Sequence, residues 1–197
     1  MRLFLIRHGE STSNVDKTWT GWMDVALTEK GKKDAEKAGE FLSLFTFDKV
    51  YASDLSRAVQ TANIALPGRN VETTPLLREI NVGMLGGKPG TSVTIEERNQ
   101  LAASGFVKYG GESREAFLHR AECFLKMVEE RGDQTVAAFS HAGMLHAMVT
   151  AALGFRSSGG KVLCSNCTVL ILEHDGMNWW LRSWIDPHLL QRENDGA

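Results

Sequence analysis

Apolar residues recur along this chain in two alternating rhythms. The run at 3–8, broken only by Arg7, predicts a buried strand. A helical stripe follows at 28–45, where Ala35, Ala38, Leu42 and Phe45 share one face and Thr28 is placed as N-cap. Residues 49–52 predict a second strand, 54–66 a helix stopped by Pro67-Gly68, and 71–77 a third strand. Glycine then punctuates 81–111, within which Thr94 and Glu97 form a capping box for a short helix ending near Gly105. The helix predicted at 113–131 carries Phe117, Ala121, Phe124, Leu125 and Val128 on one side. An apolar strand at 135–140, a largely apolar helix at 143–153 and two strands at 168–173 and 179–185 complete the series. Asp175-Gly176 joins the last two as a hairpin turn, and Trp179, Trp180 and Trp184 are expected to pack on that hairpin.

Strands alternating with helices predict an α/β fold. The expected form is a three-layer α/β/α sandwich whose mostly parallel central sheet is covered on both faces, with one antiparallel hairpin added. A length of 197 residues suits one domain over 1–197, with 81–111 as a lid-like insert. With 43% hydrophobic and 23% charged residues, the composition is that of a globular protein and excludes a disordered or fibrous chain. A net charge of −2 argues against a nucleic-acid-binding surface, but not against a small anion held by a local cluster of cations. No apolar run reaches the ~18 residues of a membrane span or the ~7–15 of a signal core, so a cytoplasmic location without membrane contact is expected. Cys123, Cys164 and Cys167 are too few for a disulfide framework, and the single CxxC lacks the further ligands a zinc site needs, so buried thiols are expected.

Three polar clusters fall just beyond the carboxyl ends of predicted strands: Arg7-His8-Gly9-Glu10, Ser53 to Arg57, and Ser140-His141-Ala142-Gly143. Open α/β sheets bind ligands along that edge. A single histidine ending a strand is more often a hydrogen-bonded core residue, and a single helical arginine a solvated one. Two imidazoles and two guanidiniums converging on one edge repel each other unless a dianion lies between them. Arg7 and Arg57 offer rigid forks that match phosphate oxygens. Gly9 and Gly143, close behind the histidines, would let the backbone approach a ligand.

These residues carry a resemblance. Leu5-Ile6-Arg7-His8-Gly9-Glu10-Ser11 with Asn14, Gly21-Trp22 with Asp24 and Leu27-Thr28, and Ser53-Asp54-Leu55 with Arg57-Ala58 and Gln60-Thr61-Ala62 match one pattern in order. Leu77-Arg78-Glu79 with Gly83 and Gly87, then Ser140-His141-Ala142-Gly143, continue it. From about Arg2 to Gly143 the chain resembles the histidine phosphatase superfamily, the phosphoglycerate mutase-like family. The resemblance implies that His8 is a nucleophile forming a phosphohistidine, with Arg7, Arg57 and His141 holding phosphoryl oxygens. It implies that Glu79 protonates the leaving oxygen and then activates water. Asn14, Thr20, Gly21, Ala142 and Gly143 would contact substrate. No metal and no cofactor is implied, and the partner would be a small phosphorylated metabolite; a homodimer is compatible with this reading. Between Gly83 and Gly87, relatives carry a Trp-Glu or Leu-Gln pair where this chain has Leu85-Gly86, which leaves Glu79 as the sole acid candidate on the segment. The mutases carry a longer, basic insert after the acid. Here 81–111 holds only Lys88, Arg98 and Lys108, which favours a phosphomonoester hydrolase over a mutase, with a non-catalytic phospho-ligand binder as the remote alternative.

Overall fold

Strand β1 (Arg2–Arg7) runs between β4 (Thr135–Ser140), parallel to it, and β5 (Val169–His174), antiparallel to it. β2 (Lys49–Ser53) and β3 (Val71–Thr74) extend the parallel part, and β6 (Trp179–Ile185) closes the far edge in the order β3-β2-β4-β1-β5-β6. This computed structural model describes residues 1–154 and 164–186.

Successive side chains of a strand face opposite sides, so a strand covered on both faces reads as an unbroken apolar run. Leu3 and Leu5 of β1 join Val136, Ala138, Leu170 and Leu172 against α5 (Arg114–Arg131) and α6 (Ala142–Leu153). Phe4 and Ile6 join Ala137, Phe139, Val169 and Ile171 on the other face, under α2 (Glu29–Leu42) and α3 (Ser56–Ala65). Each fully buried Leu, Ile or Phe contributes roughly 1.5–3 kcal/mol relative to exposure, so the four apolar residues of β1 anchor both layers. The three-layer sandwich is present as expected.

Thr28, Thr94 and Ser113 cap α2, α4 (Ile95–Ser104) and α5 by accepting the amide protons of Gly31, Glu97 and Ala116. Only half of the expected capping box at Thr94 forms on these bonds, because the Glu97 carboxylate pairs with Lys108 and Tyr109. Elsewhere the local expectations need correction. The third strand stops at Thr74, since Pro75 lacks an amide proton for the ladder and opens a 3₁₀ turn, Pro75–Leu77, capped by the Thr74 hydroxyl. α2 ends at Leu42 rather than Phe45. A one-turn helix, α1 (Thr12–Val15), was not expected at all. Trp180 and Trp184 stand 58% and 42% exposed on the edge strand, with the Trp180 indole donating to Asp175 in the hairpin turn, while Trp179 lies against the core. Segment 81–111 builds a small core of its own from Val82, Leu85, Val93, Leu101 and Phe106. Among the described residues no helix is long and apolar enough to cross a membrane.

Candidate active site

The parallel register of β1 and β4 pairs Arg7 with Ser140, so the next residue of each strand, His8 and His141, leaves the sheet at the same level. Their rings lie 5.1 Å apart and both are buried, at 5% and 0% exposure. His8 Nδ1 is 2.7 Å from the carbonyl of Gly9. A carbonyl only accepts, so Nδ1 carries the proton and Nε2 keeps its lone pair. Arg57, 1% exposed, donates from Nη1 to Met23 O and from Nη2 to Gly21 O, each at 2.9 Å, which fixes the plane of its guanidinium. Arg7 donates from Nη1 to Cys164 O, and its Nε is a buried donor without a partner among the described residues.

A cavity of about 280 Å³ opens here, lined on its polar side by Arg7, His8, Asn14, Arg57 and Glu79, with Thr20, Gly21, Ala142 and Gly143 beside them. A larger, open hollow of about 790 Å³ near Arg2, His174 and Arg182 lies at the other end of the strands and has no comparable convergence of groups, so the smaller cavity is the chemical one. Glu79 is the only carboxylate among the described residues lining it; its Oε1 accepts from Ile80 N at 2.9 Å and its Oε2 from Gly143 N at 3.0 Å. Asn14 Oδ1 is taken by Ser11 and by Asn166, which leaves the Asn14 amide protons as the group free to face an anion.

Burial, and then the positive charges of Arg57 and Arg7, hold the His8 pKa well below the usual histidine range. Burial and Arg57 do the same to His141. Burial also pushes the Arg57 guanidinium down to about 10, still charged at neutral pH. Two cations and two neutral imidazoles against one carboxylate leave an excess of positive charge suited to a dianion. The neutral histidines also set a pH dependence. An unfolded chain takes up protons on both as pH falls through ~6.5, and the native state declines them, so stability is full above that pH and drops below it. Urea denaturation should show a loss of up to about 1.4 kcal/mol per pH unit for each histidine, and His8→Asn should remove about half of the slope. A native state equally stable at pH 7.5 and 5.5 would contradict two buried neutral imidazoles.

The structure brings together every expected site residue, His141 included: its ring lies against His8 rather than on the cavity lining, with its Nε2 2.9 Å from the Ser53 hydroxyl. The glycines behave differently from expectation. A Cβ on Gly9 would fall 2.4 Å from the backbone oxygen of Gly31, and one on Gly143 2.2 Å from Glu79 Oε1. The space they spare is occupied by the protein itself, for helix packing and for the acid. Leu85 is buried in the core of segment 81–111, and neither it nor Gly86 lines the cavity. Ser53, already part of a polar cluster in the sequence, proves to be the partner of His141, and one contributor escaped the sequence: Asn166, whose side chain donates to the His8 carbonyl at 3.0 Å and to Asn14 at 3.2 Å. Asn166 sits inside the CxxC, whose thiols are buried as expected and pushed up to about 11 at Cys164 and about 12 at Cys167 by that burial.

Residues 3–187 match the profile of the histidine phosphatase superfamily, branch 1. The adenosylcobalamin/alpha-ribazole phosphatase of Salmonella typhimurium is 34% identical over 157 residues, 76% of this chain and 78% of the relative. The 2,3-bisphosphoglycerate-dependent phosphoglycerate mutase of Elusimicrobium minutum is 50% identical over 93 residues, 44% of this chain, and the match spans only 38% of the mutase. The solved mycobacterial glucosyl-3-phosphoglycerate phosphatase, in complex with VO3, superposes with a TM-score of 0.80 at 26% identity, covering 94% of this chain and 98% of its own.

Proposed function

From the premise that the chain belongs to the histidine phosphatase superfamily, branch 1, we propose that it hydrolyses a small phosphomonoester through a phosphohistidine at His8. The observation that carries this reading is the neutral His8 ring, its proton fixed on Nδ1 by the Gly9 carbonyl and its Nε2 lone pair left for a cavity shared with Arg7, Arg57 and Glu79. In the first step the Nε2 lone pair forms the N–P bond while the ester P–O bond breaks, and Glu79 gives its proton to the departing oxygen. In the second, Glu79 takes a proton from water, whose oxygen displaces the histidine and releases inorganic phosphate. Arg7, Arg57 and the Asn14 amide offset the charge on the three equatorial oxygens, the main demand that phosphoryl transfer makes on a protein. His141 reaches an equatorial oxygen by exchanging the Ser53 hydroxyl for it, one hydrogen-bond acceptor for another. Thr20, Gly21, Ala142 and Gly143 complete the wall against which the ester lies. No step calls on a metal or an organic cofactor.

Hydrolysis is favoured over isomerisation because, among the described residues, Arg7 and Arg57 are the only arginine or lysine side chains that line the cavity. A mutase must retain a doubly phosphorylated intermediate, which asks for a second set of cations. Supplied with 3-phosphoglycerate and catalytic 2,3-bisphosphoglycerate, the protein should release inorganic phosphate faster than it forms 2-phosphoglycerate. Isomerisation outrunning phosphate release would transfer the assignment to the mutases, the activity that the name of the Elusimicrobium relative carries.

A further inference from the structure

We infer that the group esterified to the phosphate in this site is compact, uncharged and apolar, of the size of one aromatic ring, and not a carboxylate or a second phosphate. The inference rests on the His8 reading above and concerns the wall opposite that residue. Trp19, Ile80, Val82 and Phe106 line the cavity there. Phe106 meets Trp19 edge to face, with centroids 5.4 Å apart and planes at 72°, and Val82 and Phe106 are themselves held by the buried Leu85, Val93 and Leu101. This is a packed apolar surface rather than a set of side chains that can swing aside.

Among the described residues, the cations around it are already engaged. Arg78 makes a two-pronged bond to Asp54 at 2.7 and 2.6 Å and lies over the Trp22 ring, and Arg120 pairs with Glu112. Lys108 pairs with Glu97, and Arg98 donates to the Gly90 carbonyl while stacked on Trp19. Lys17 and Lys88 are exposed and do not line the cavity. A carboxylate on the leaving group would therefore lose water against an apolar wall without gaining a counter-charge, which costs several kcal/mol. An aromatic ring in the same place gains from area removed from water and from contact with two aromatic neighbours. Size points the same way. At about 280 Å³ the cavity falls below the ~300–1,000 Å³ range of drug-sized sites, and the phosphoryl group takes part of it.

Benzyl phosphate and 3-phosphoglycerate both expel a primary alkoxide, so the demand for a general acid is alike and the leaving group's charge and shape are what differ. The kcat/KM for phosphate release should favour benzyl phosphate by at least about 30-fold, the ratio that about 2 kcal/mol corresponds to. Ile80→Lys, which places a cation on the partly exposed part of this wall, should narrow that ratio by raising the rate with 3-phosphoglycerate. Binding supplies a second measurement that needs neither turnover nor a variant. Benzylphosphonate should inhibit or bind more tightly than 3-phosphonopropanoate, the two sharing a non-hydrolysable phosphonate. Tighter binding of 3-phosphonopropanoate, or a kcat/KM equal to or greater with 3-phosphoglycerate, overturns the inference. If either ester phosphorylates His8 while the order is reversed, the hydrolytic reading stands and the apolar leaving group falls. If neither ester phosphorylates His8, the phosphonate comparison still decides the wall, and it is the chemistry that fails.

Discussion

His8→Ala should abolish the covalent phosphoenzyme and lower turnover by about 10⁴–10⁶-fold, the scale seen when an enzymatic nucleophile is removed. The reason is geometric. The Gly9 carbonyl fixes the tautomer, burial and then the two arginines keep the ring neutral, and the other buried imidazole nearby, His141, already bonds Ser53. Among the described residues no second nitrogen nucleophile lines the cavity. Rapid mixing with labelled substrate and an alkaline quench should trap base-stable, acid-labile phosphate on the native protein and none on the variant. The variant should keep its circular dichroism, since the lost side-chain hydrogen bond is one to a neighbouring carbonyl and no charge is removed. Label at full yield in His8→Ala sinks the assignment.

Glu79→Gln should slow phosphoenzyme formation from alkyl phosphates by about 10²–10⁴-fold and from p-nitrophenyl phosphate far less. An aryl oxide leaves nearly unaided, whereas an alkoxide needs its proton in the transition state. With Leu85 buried and Gly86 without a side chain, no second carboxylate among the described residues lines the cavity to take over. The glutamine has one oxygen for two backbone N–H groups, those of Ile80 and Gly143, so the variant should also be destabilised by about 1–3 kcal/mol. Comparing the two substrates on the same variant cancels that loss. The comparison must use the first-turnover burst, because attack by water becomes limiting once the base is gone. Equal losses for aryl and alkyl esters would falsify the acid role and leave Glu79 as a positioning residue.

What the one-dimensional pattern revealed, and what it concealed, follows from the range of the interactions involved. β4 (Thr135–Ser140) and β6 (Trp179–Ile185) match their expected bounds, and Thr28 and Thr94 cap as expected, because alternation and caps act over a few residues. α1 is four residues long, too short to have helical stability of its own, and exists because Asn14 reaches back to Ser11. Trp180 looks like a core residue in sequence, but its place on an edge strand exposes it. The nucleophile, the arginines and the acid were visible as motifs. The pairing of Ser53 with His141 and the part played by Asn166 were not, since each shows only against a residue 88 or 158 positions away.

The place of β1 between β4 and β5 has a temporal consequence. His8 is made well before the strands that flank its own, which end at Ser140 and His174. At ~5–20 residues per second, roughly 10–30 s of synthesis separate the nucleophile from the last strand that holds it in the sheet. During that interval β1 is an apolar segment with both edges unpaired, the condition that invites wrong partners. Competence to bind a phosphate analogue should therefore arise late and in one step during translation. In ribosome-stalled chains it should be missing until β5 has cleared the exit tunnel, long after every residue that touches the anion has been made.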